Sequence, residues 1–145
     1  MVNAKENYSN ECIADDTIQN VYLELNGIYS PIYRPFSLIL PCKNDAFLLK
    51  KLLFMIEDMD REIFPVKHLE IIVIDGSTDN ESKRIIEKLP ELFSNLNIRI
   101  IKAIPGTRLL RSELIGLKVA KYGWRVVMDC DLQHSPMDII KLLEI

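Results

Sequence analysis

The chain has 145 residues, which is enough for one ordinary domain and too few for two. Its apolar (48%) and charged (27%) fractions are those of a soluble globular protein. The net charge is −3, and the acidic excess lies in residues 1–35, so the remainder has no basic field to attract nucleic acid and we expect no such partner.

Residues 1–35 are polar and irregular, and we predict a loosely ordered extension with one short helix around 16–25. From Phe36 onward, apolar strand-like runs alternate with amphipathic helical patterns. The predicted elements are Phe36–Leu40, Ala46–Met59, Leu69–Ile74, Asp79–Leu89, Ile98–Ile104, Thr107–Lys121, Arg125–Met128 and a last helix opened by Pro136. Residues 36–145 therefore form the expected domain.

Local signals suggest how these elements end. Pro41 is expected to stop the first strand, and Asp45 to cap the first helix. Ser77 or Thr78 is expected to cap the second helix, and Ser135 the last. Since strand and helix alternate four times, the sequence predicts an α/β fold with a parallel sheet and right-handed crossovers.

Polar residues follow every predicted strand. In an open parallel sheet the carboxyl ends of the strands share one edge, and ligands bind there. Four loops should therefore meet in one crevice, namely Lys43–Asp45, Asp75–Asp79, Gly106–Arg108 and Asp129–Gln133.

Two carboxylates follow the fourth strand, two residues apart. In an extended backbone Asp129 and Asp131 point to the same side, and Gln133 continues that face. Three oxygen-bearing side chains suit Mg²⁺ or Mn²⁺. The segment taken alone is equally compatible with a solvated acidic loop beside the last helix.

The other loops are more ambiguous. Gly76, Ser77 and Thr78 are explained by a tight turn and helix cap, whereas Asp75 ends a buried strand and needs a partner. Arg108 or Arg111 could meet a diphosphate, or simply be solvated. No G-x-G-x-x-G or G-x-x-x-x-G-K-[ST] motif occurs, which argues against dinucleotide and P-loop sites.

Cysteine usage and hydropathy bear on location. Cys12, Cys42 and Cys130 are scattered without a C-x-x-C pair, which argues against a disulfide framework or zinc site and for a reducing compartment. The first residues lack a signal-peptide pattern, and no apolar run approaches the ~20 residues that span a bilayer. We predict a cytoplasmic location, compatible with peripheral contact to the cytoplasmic membrane face.

Taken together, these motifs resemble glycosyltransferase family two, and within it the dolichol-phosphate mannosyltransferase-like branch. The resemblance runs from about Phe36 to Ile145, and its most specific block is M-D-x-D-L-Q-H-x-P. The matching segments are Phe36–Pro41 with Asn44-Asp45, Ile71–Asp79, Gly116–Ala120 and Val127–Pro136.

The resemblance implies a GT-A fold with central strand order 3-2-1-4, and a metal-dependent transferase that uses GDP-mannose or UDP-glucose. By similarity, Pro41 and Asp45 would line the nucleoside pocket, and Asp75 would contact the base. Asp129 would meet the donor and, with Asp131 and Gln133, hold Mg²⁺ or Mn²⁺. The acceptor in that branch is a polyprenyl phosphate at a membrane surface.

Two departures from the family pattern are visible. Family members usually carry two adjacent aspartates where this chain has Ile74 and Asp75. They also continue for roughly another hundred residues, in keeping with the size of a complete domain, so we expect the acceptor site and any catalytic base outside this chain.

Two other functions fit parts of the pattern. A non-catalytic sugar-nucleotide-binding module is the main alternative, because it would need the same donor site. A phosphatase of the haloacid dehalogenase type also uses D-x-D, but after its first strand and with Thr or Val where Gln133 stands.

Overall fold

A computed structural model describes residues 35–59 and 69–143. Residues 1–34 of the predicted extension, with its short helix, lie outside these residues. The elements are β1 (Phe36–Cys42), α1 (Ala46–Asp58), β2 (Leu69–Asp75), α2 (Asn80–Leu92), β3 (Ile98–Lys102), α3 (Leu109–Val119), β4 (Trp124–Val127) and α4 (Pro136–Leu143).

The four strands form one parallel sheet in the order β3-β2-β1-β4, which confirms the predicted topology. Every residue of β1 and β2 is buried, as their continuous apolar sequences predict. The outer strands β3 and β4 are partly exposed. All strands run the same way, so their carboxyl ends lie along one edge.

Helices cover both faces of the sheet. The larger core cluster joins one face to α1, α2 and α4, with Leu38, Val73 and Ile140 among its fully buried members. The smaller cluster packs α3 against the opposite face through Ile39 and Ile72. Gly116 permits this close packing, because a Cβ atom there would lie 2.3 Å from Ile39 Cγ2.

The prediction that Pro41 ends β1 is wrong. Pro41 lies within the strand and is in register with Ile74. Ile39 accepts a hydrogen bond from Met128 N on the β4 side, whereas Cys42 accepts one from Gly76 N on the β2 side. The Pro41 nitrogen therefore faces the β4 side beyond Val127, where β4 has ended and no ladder bond is lost.

Two of the predicted caps also differ. Asp79, rather than Ser77 or Thr78, caps α2, and its Oδ1 accepts from Ser82 N at 2.6 Å. Asp45 occupies the N-cap position of α1, but its side chain makes no capping bond. Ser135 caps α4 as predicted and accepts from Met137 N at 3.2 Å.

The remaining boundary differences are short. β3 ends at Lys102 instead of Ile104, and α3 is shorter at both ends than predicted. Within the described residues, no helix is both long and apolar enough to cross a bilayer.

Candidate functional site

Loop hydrogen bonds join three of the strand ends at the carboxyl edge. Gly76 N donates to Cys42 O, and Gly106 N donates to Gly76 O, each at 2.9 Å. The loops are closely packed here, because a Cβ at Gly76 would lie in van der Waals contact with Thr107 O at 3.4 Å. The loops after β1, β2 and β3 therefore support one another through backbone contacts.

Asn44 strengthens the link between the first two loops. Its backbone is left-handed (φ 62°), a conformation that asparagine tolerates better than most residues. Its Oδ1 accepts from Thr78 N at 2.8 Å and from Asp79 N at 3.2 Å. Its own N–H donates to Ser77 Oγ at 3.1 Å. Asn44 thus holds the loop that carries Asp45 against the loop that follows β2.

A cavity of about 230 Å³ opens at this edge beside β1 and β4. Three of the four residues that the sequence predicts as nucleotide-sugar contacts line it: Pro41, Asp45 and Asp129. Asp131 lines it as well. The other lining residues are Cys42, Lys43, Thr107, Leu109, Ser112 and Cys130. Because Asp45 makes no capping bond, its carboxylate is available to a ligand in this cavity.

Asp129 and Asp131, the two carboxylates after β4, line the cavity, whereas Cys130 and Leu132 turn toward the core. Cys130 is buried, and Leu132 packs against the same core cluster. Leu132 has a left-handed backbone (φ 64°), which ends the extended geometry there. Asp131 Oδ1 accepts from Gln133 N at 3.1 Å. Gln133 is exposed and does not line the cavity, so the three-residue face predicted from an extended strand stops at Asp131.

Asp75 lies in a separate cavity. This second space, of about 270 Å³, is lined by Asp75, Ser77, Lys83, Glu87, Lys102, Ala103 and Pro105. Asp75 is buried, and its Oδ1 accepts from Ser77 N at 2.9 Å. That bond supplies the partner that a buried carboxylate needs and leaves Oδ2 for a ligand. Asp75 and Asp45 therefore line neighbouring cavities rather than one pocket.

An ion pair borders the second cavity. Lys102 Nζ lies 2.6 Å from Glu87 Oε1, and both side chains are largely exposed. The hydrogen bond and charge of Lys102 lower the pKa of Glu87, and the same contact raises the pKa of Lys102. The pair places one fixed charge of each sign at the rim.

Two thiols lie beneath the first cavity. Cys42 and Cys130 are both buried and free. The Cys130 thiol donates to Pro41 O at 3.5 Å and is a hydrogen-bond partner of Cys42. The hydrogen bond between the two thiols lowers the pKa of Cys42. The same bond, together with burial, raises the pKa of Cys130.

The oxygen donors of the first cavity fit a divalent cation that also binds a ligand. Among the described residues, no three His, Cys, Asp or Glu side chains cluster to hold a metal unaided. Asp129 and Asp131 supply two carboxylates on one cavity wall. Mg²⁺ is commonly held by one or two carboxylates, with phosphate oxygens and water completing the shell. The fit is therefore to a metal–diphosphate pair.

Other polar candidates lie outside this cavity. Arg108 and Arg111 are exposed and line neither of the two cavities described above. His134 borders a third space of about 350 Å³ beside α4, which it shares with Asp129. Thr107, from the Gly106–Arg108 loop that the sequence placed at the crevice, lines the first cavity, and so does Ser112, which sequence analysis did not identify. Ser112 occupies an ordinary helix position, and no sequence pattern marks it.

Comparison with known proteins identifies the family to which the chain is related. The family model described as "Glycosyl transferase family 2" matches residues 37–145. A dolichol-phosphate mannosyltransferase from Pyrococcus furiosus is 33% identical over 108 residues, which cover 74% of this chain and 29% of that protein. A dolichol-phosphate mannosyltransferase from Saccharomyces cerevisiae is 30% identical over 110 residues, covering 75% of this chain and 40% of that protein.

The fold also matches a solved enzyme. The structure of a mannosyltransferase from Pyrobaculum calidifontis, in complex with GDP-Man and Mn²⁺, superposes with a TM-score of 0.65 at 18% identity. The match covers 90% of this chain and 39% of that one. The predicted GT-A fold is thereby confirmed. The chain spans less than half the length of each of these three proteins.

Proposed function

The chain belongs to glycosyltransferase family 2, and on that basis we propose that it binds a nucleotide-diphospho-sugar together with a divalent cation. The donor is GDP-mannose or UDP-glucose, and the reaction of the whole protein transfers its hexose to a polyprenyl-phosphate-type acceptor. One observation carries the proposal: Asp129 and Asp131 line the same cavity as Pro41 and Asp45 at the carboxyl edge of the sheet.

The proposed roles follow from the chemistry of each group. Asp129 and Asp131 hold Mg²⁺ or Mn²⁺ through carboxylate oxygens, and the Gln133 side chain supplies a third ligand. The backbone N–H of Gln133 helps to orient Asp131, because it donates to Oδ1 of that carboxylate. The bound cation would neutralise charge on the departing nucleoside diphosphate. Gln133 requires a side-chain rotation toward the cavity, which its exposure permits.

The nucleoside is assigned to the neighbouring surfaces. Pro41 and Asp45 border the sugar-nucleotide cavity, and Asp75 offers a carboxylate oxygen to an N–H of the base. The bridge made by Asn44 fixes the distance between these two carboxylates before a donor arrives. Such preorganisation lowers the ordering cost of binding.

Calorimetry tests donor binding directly. Titration of GDP-mannose and UDP-glucose, with Mn²⁺, Mg²⁺ or chelator, should give binding only with metal. Asp131→Asn should weaken it at least about tenfold, which is ~1.4 kcal/mol. Asp58→Asn, at the far end of α1, is the charge-matched control and should bind as wild type. Equal affinity in chelator or in Asp131→Asn would contradict the metal assignment.

Transfer is tested separately from binding. The names of the two dolichol-phosphate mannosyltransferase relatives support a polyprenyl-phosphate acceptor, and such an acceptor implies contact with a membrane surface. When the part of the protein that carries the acceptor site is supplied together with this chain, radiolabelled donor and dolichyl phosphate in detergent or vesicles should yield a labelled lipid. Metal-dependent donor binding without any transfer would instead favour the sugar-nucleotide-binding module.

A further inference from the structure

We propose that Cys42 and Cys130 form a redox modification site, in which a hydroperoxide converts the two thiols into a reversible disulfide beneath the first cavity. The bond would distort the carboxylate pair above it and thereby suppress donor binding. The disulfide itself is independent of the proposed function, whereas its effect on the donor rests on that function.

Strand register brings the two cysteines face to face. β1 and β4 pair from Phe36 with Trp124 to Ile39 with Val127. The bond from Met128 N to Ile39 O, at 3.0 Å, carries the same register beyond the end of β4. Continued past the end of β4, this register would place Cys130 opposite Cys42, and the 3.5 Å contact between Cys130 Sγ and Pro41 O shows that the segment after β4 stays beside this part of β1. Both side chains belong to the larger core cluster, so they also point to the same face of the sheet.

The sulfur atoms are close but shielded. Cys130 Sγ lies 3.5 Å from Pro41 O, the carbonyl directly before Cys42, and the two thiols interact closely enough to shift each other's pKa. The two residues are only 3% and 4% exposed. Both nevertheless line the first cavity, which offers a small oxidant a route that a bulky thiol reagent lacks.

The expected disulfide is strained and therefore easily reduced. Neighbouring strands lie ~4.8 Å apart, whereas a disulfide needs Cβ atoms ~3.8 Å apart. Either β1 or the segment that carries Cys130 must therefore move by roughly the difference between these two spacings. β4 ends at Val127, so the segment that carries Cys130 has left the ladder and can shift more readily than β1. Strain of this kind makes a disulfide more oxidising, as in labile rather than structural bonds.

The chemistry balances with one equivalent of hydroperoxide. With hydrogen peroxide, one thiol sulfur attacks a peroxide oxygen, the O–O bond breaks, and water leaves to give a sulfenic acid; an organic hydroperoxide releases an alcohol in place of this water. The second thiol attacks that sulfur, the S–S bond forms, and a second water leaves. The two sulfurs are oxidised by two electrons in total, and the peroxide is reduced. A dithiol such as dithiothreitol reverses the step.

Formation of the disulfide would affect the donor site, because both cysteines are adjacent in sequence to residues of that site. Cys130 stands between Asp129 and Asp131, and Cys42 lies next to Pro41. Drawing Cys130 toward β1 moves both carboxylates, because the backbone links them directly. Small displacements matter here, since a metal–diphosphate site depends on ligand geometry to within fractions of an ångström.

Differential alkylation of the whole unmodified chain tests the disulfide. The protein is treated with substoichiometric hydrogen peroxide, denatured in light iodoacetamide, reduced, and labelled with heavy iodoacetamide. We expect heavy label on Cys42 and Cys130, light label on Cys12, and recovery of free thiols after dithiothreitol. Cys42→Ser should abolish the heavy label on Cys130. Light label on both cysteines, or heavy label on Cys130 in Cys42→Ser, would overturn the proposal.

Donor binding of the same samples separates the two proposals. The switch is supported by three results together. Reduced protein binds GDP-mannose with Mn²⁺, oxidised protein binds it at least tenfold more weakly, and reduction restores the affinity. A disulfide without any change in donor affinity would overturn the switch and leave the donor site intact. Failure of the reduced protein to bind any donor would contradict the proposed function, while the alkylation result would still decide the disulfide.

Discussion

The side chain of Asn44 binds Thr78 with both ends of its amide: Nδ2 donates to Thr78 Oγ1 at 2.9 Å, and Oδ1 accepts from Thr78 N at 2.8 Å. The two residues follow different strands, so this contact is tertiary and not part of a local turn. It bridges the two loops that carry the candidate donor contacts Asp45 and Asp75. The stability of this bridge can be measured.

We expect Asn44→Ala to lower the free energy of unfolding by about 1–3 kcal/mol, because it removes several hydrogen bonds and leaves alanine in a left-handed backbone. Asn44→Gly removes the same bonds but tolerates that backbone, so its loss should be smaller. Urea denaturation of both variants makes the comparison. Asn80→Ala, at the exposed start of α2, is the control and should change stability by under about 0.5 kcal/mol. Equal stability of Asn44→Ala and wild type would contradict the bridge.

Gly116→Ala should destabilise the chain by about 1–3 kcal/mol, because the new Cβ would lie 2.3 Å from Ile39 Cγ2 in a fully buried site. Ile39 is branched and closely packed, so α3 must move away from β1. Gly123→Ala offers a matched control, since a Cβ there has nothing within 4 Å. Thermal or urea unfolding should separate the two variants clearly. Similar stabilities would mean that α3 does not pack on β1 as closely as described.

A buried carboxylate supports the opposite edge of the sheet. Glu70 is 4% exposed, and its Oε2 accepts from Ser37 Oγ at 2.6 Å and from Lys121 N at 2.9 Å. Glu70→Ala would leave both donors without this acceptor, and we expect a loss of about 2–4 kcal/mol in urea denaturation. Arg99 also pairs with Glu70, but its side chain is 46% exposed, so Arg99→Ala should cost at most about 1 kcal/mol. Because Arg99 also donates to Val119 O, a larger effect for Arg99→Ala would show that Arg99 stabilises this edge more than its exposed ion pair accounts for.

Much of this fold follows from sequence pattern, because β1 and β2 are largely apolar and amphipathic helical segments alternate with the strands. Pro41 was misjudged because the cost of a proline depends on which neighbour its nitrogen faces, and that depends on where β4 ends. The cap of α2 was misjudged because Asn44 donates to the hydroxyls of Ser77 and Thr78, and Asp79 makes the capping bond instead.

The candidate site was predicted to a similar extent. The alternation rule correctly grouped Asp129 with Asp131 beside one cavity, but it could not foresee the left-handed Leu132 that turns Gln133 away from it. The contact between Cys42 and Cys130 could not be predicted from the sequence, for a different reason. It depends on the register between two strands far apart in sequence, which neither strand encodes alone.

The two aspartates at helix N-caps should respond differently to substitution. Asp79→Ala removes the bond to Ser82 N and should cost about 0.5–2 kcal/mol of stability. Asp45 makes no such bond, so Asp45→Ala should change stability by under about 0.5 kcal/mol. If the proposed function is correct, Asp45→Ala weakens donor binding in calorimetry while its unfolding curve matches wild type. A stability loss as large as that of Asp79→Ala would assign Asp45 a capping role instead.

The exposed pair of Glu87 and Lys102 predicts a pH dependence with a defined sign. Because Lys102 lowers the pKa of Glu87 in the folded state, the pair stabilises the fold above the unfolded pKa of Glu87, and this is lost as pH falls through the folded value. Because Glu87 raises the pKa of Lys102, the same contribution is lost again as pH rises through that folded value. The pair therefore acts between these two limits, and added salt should weaken it.

An NMR titration of the Glu87 carboxyl carbon measures this interaction. In Lys102→Gln the pKa of Glu87 should rise toward its ordinary range, since the largest cause of the shift is the hydrogen bond from Lys102. Lys118→Gln removes the same charge from an exposed position on α3 and should leave the pKa of Glu87 at its wild-type value. High salt should move the wild-type titration in the same direction as Lys102→Gln. An unchanged pKa in Lys102→Gln would show that the ion pair at the rim of the second cavity does not persist in solution.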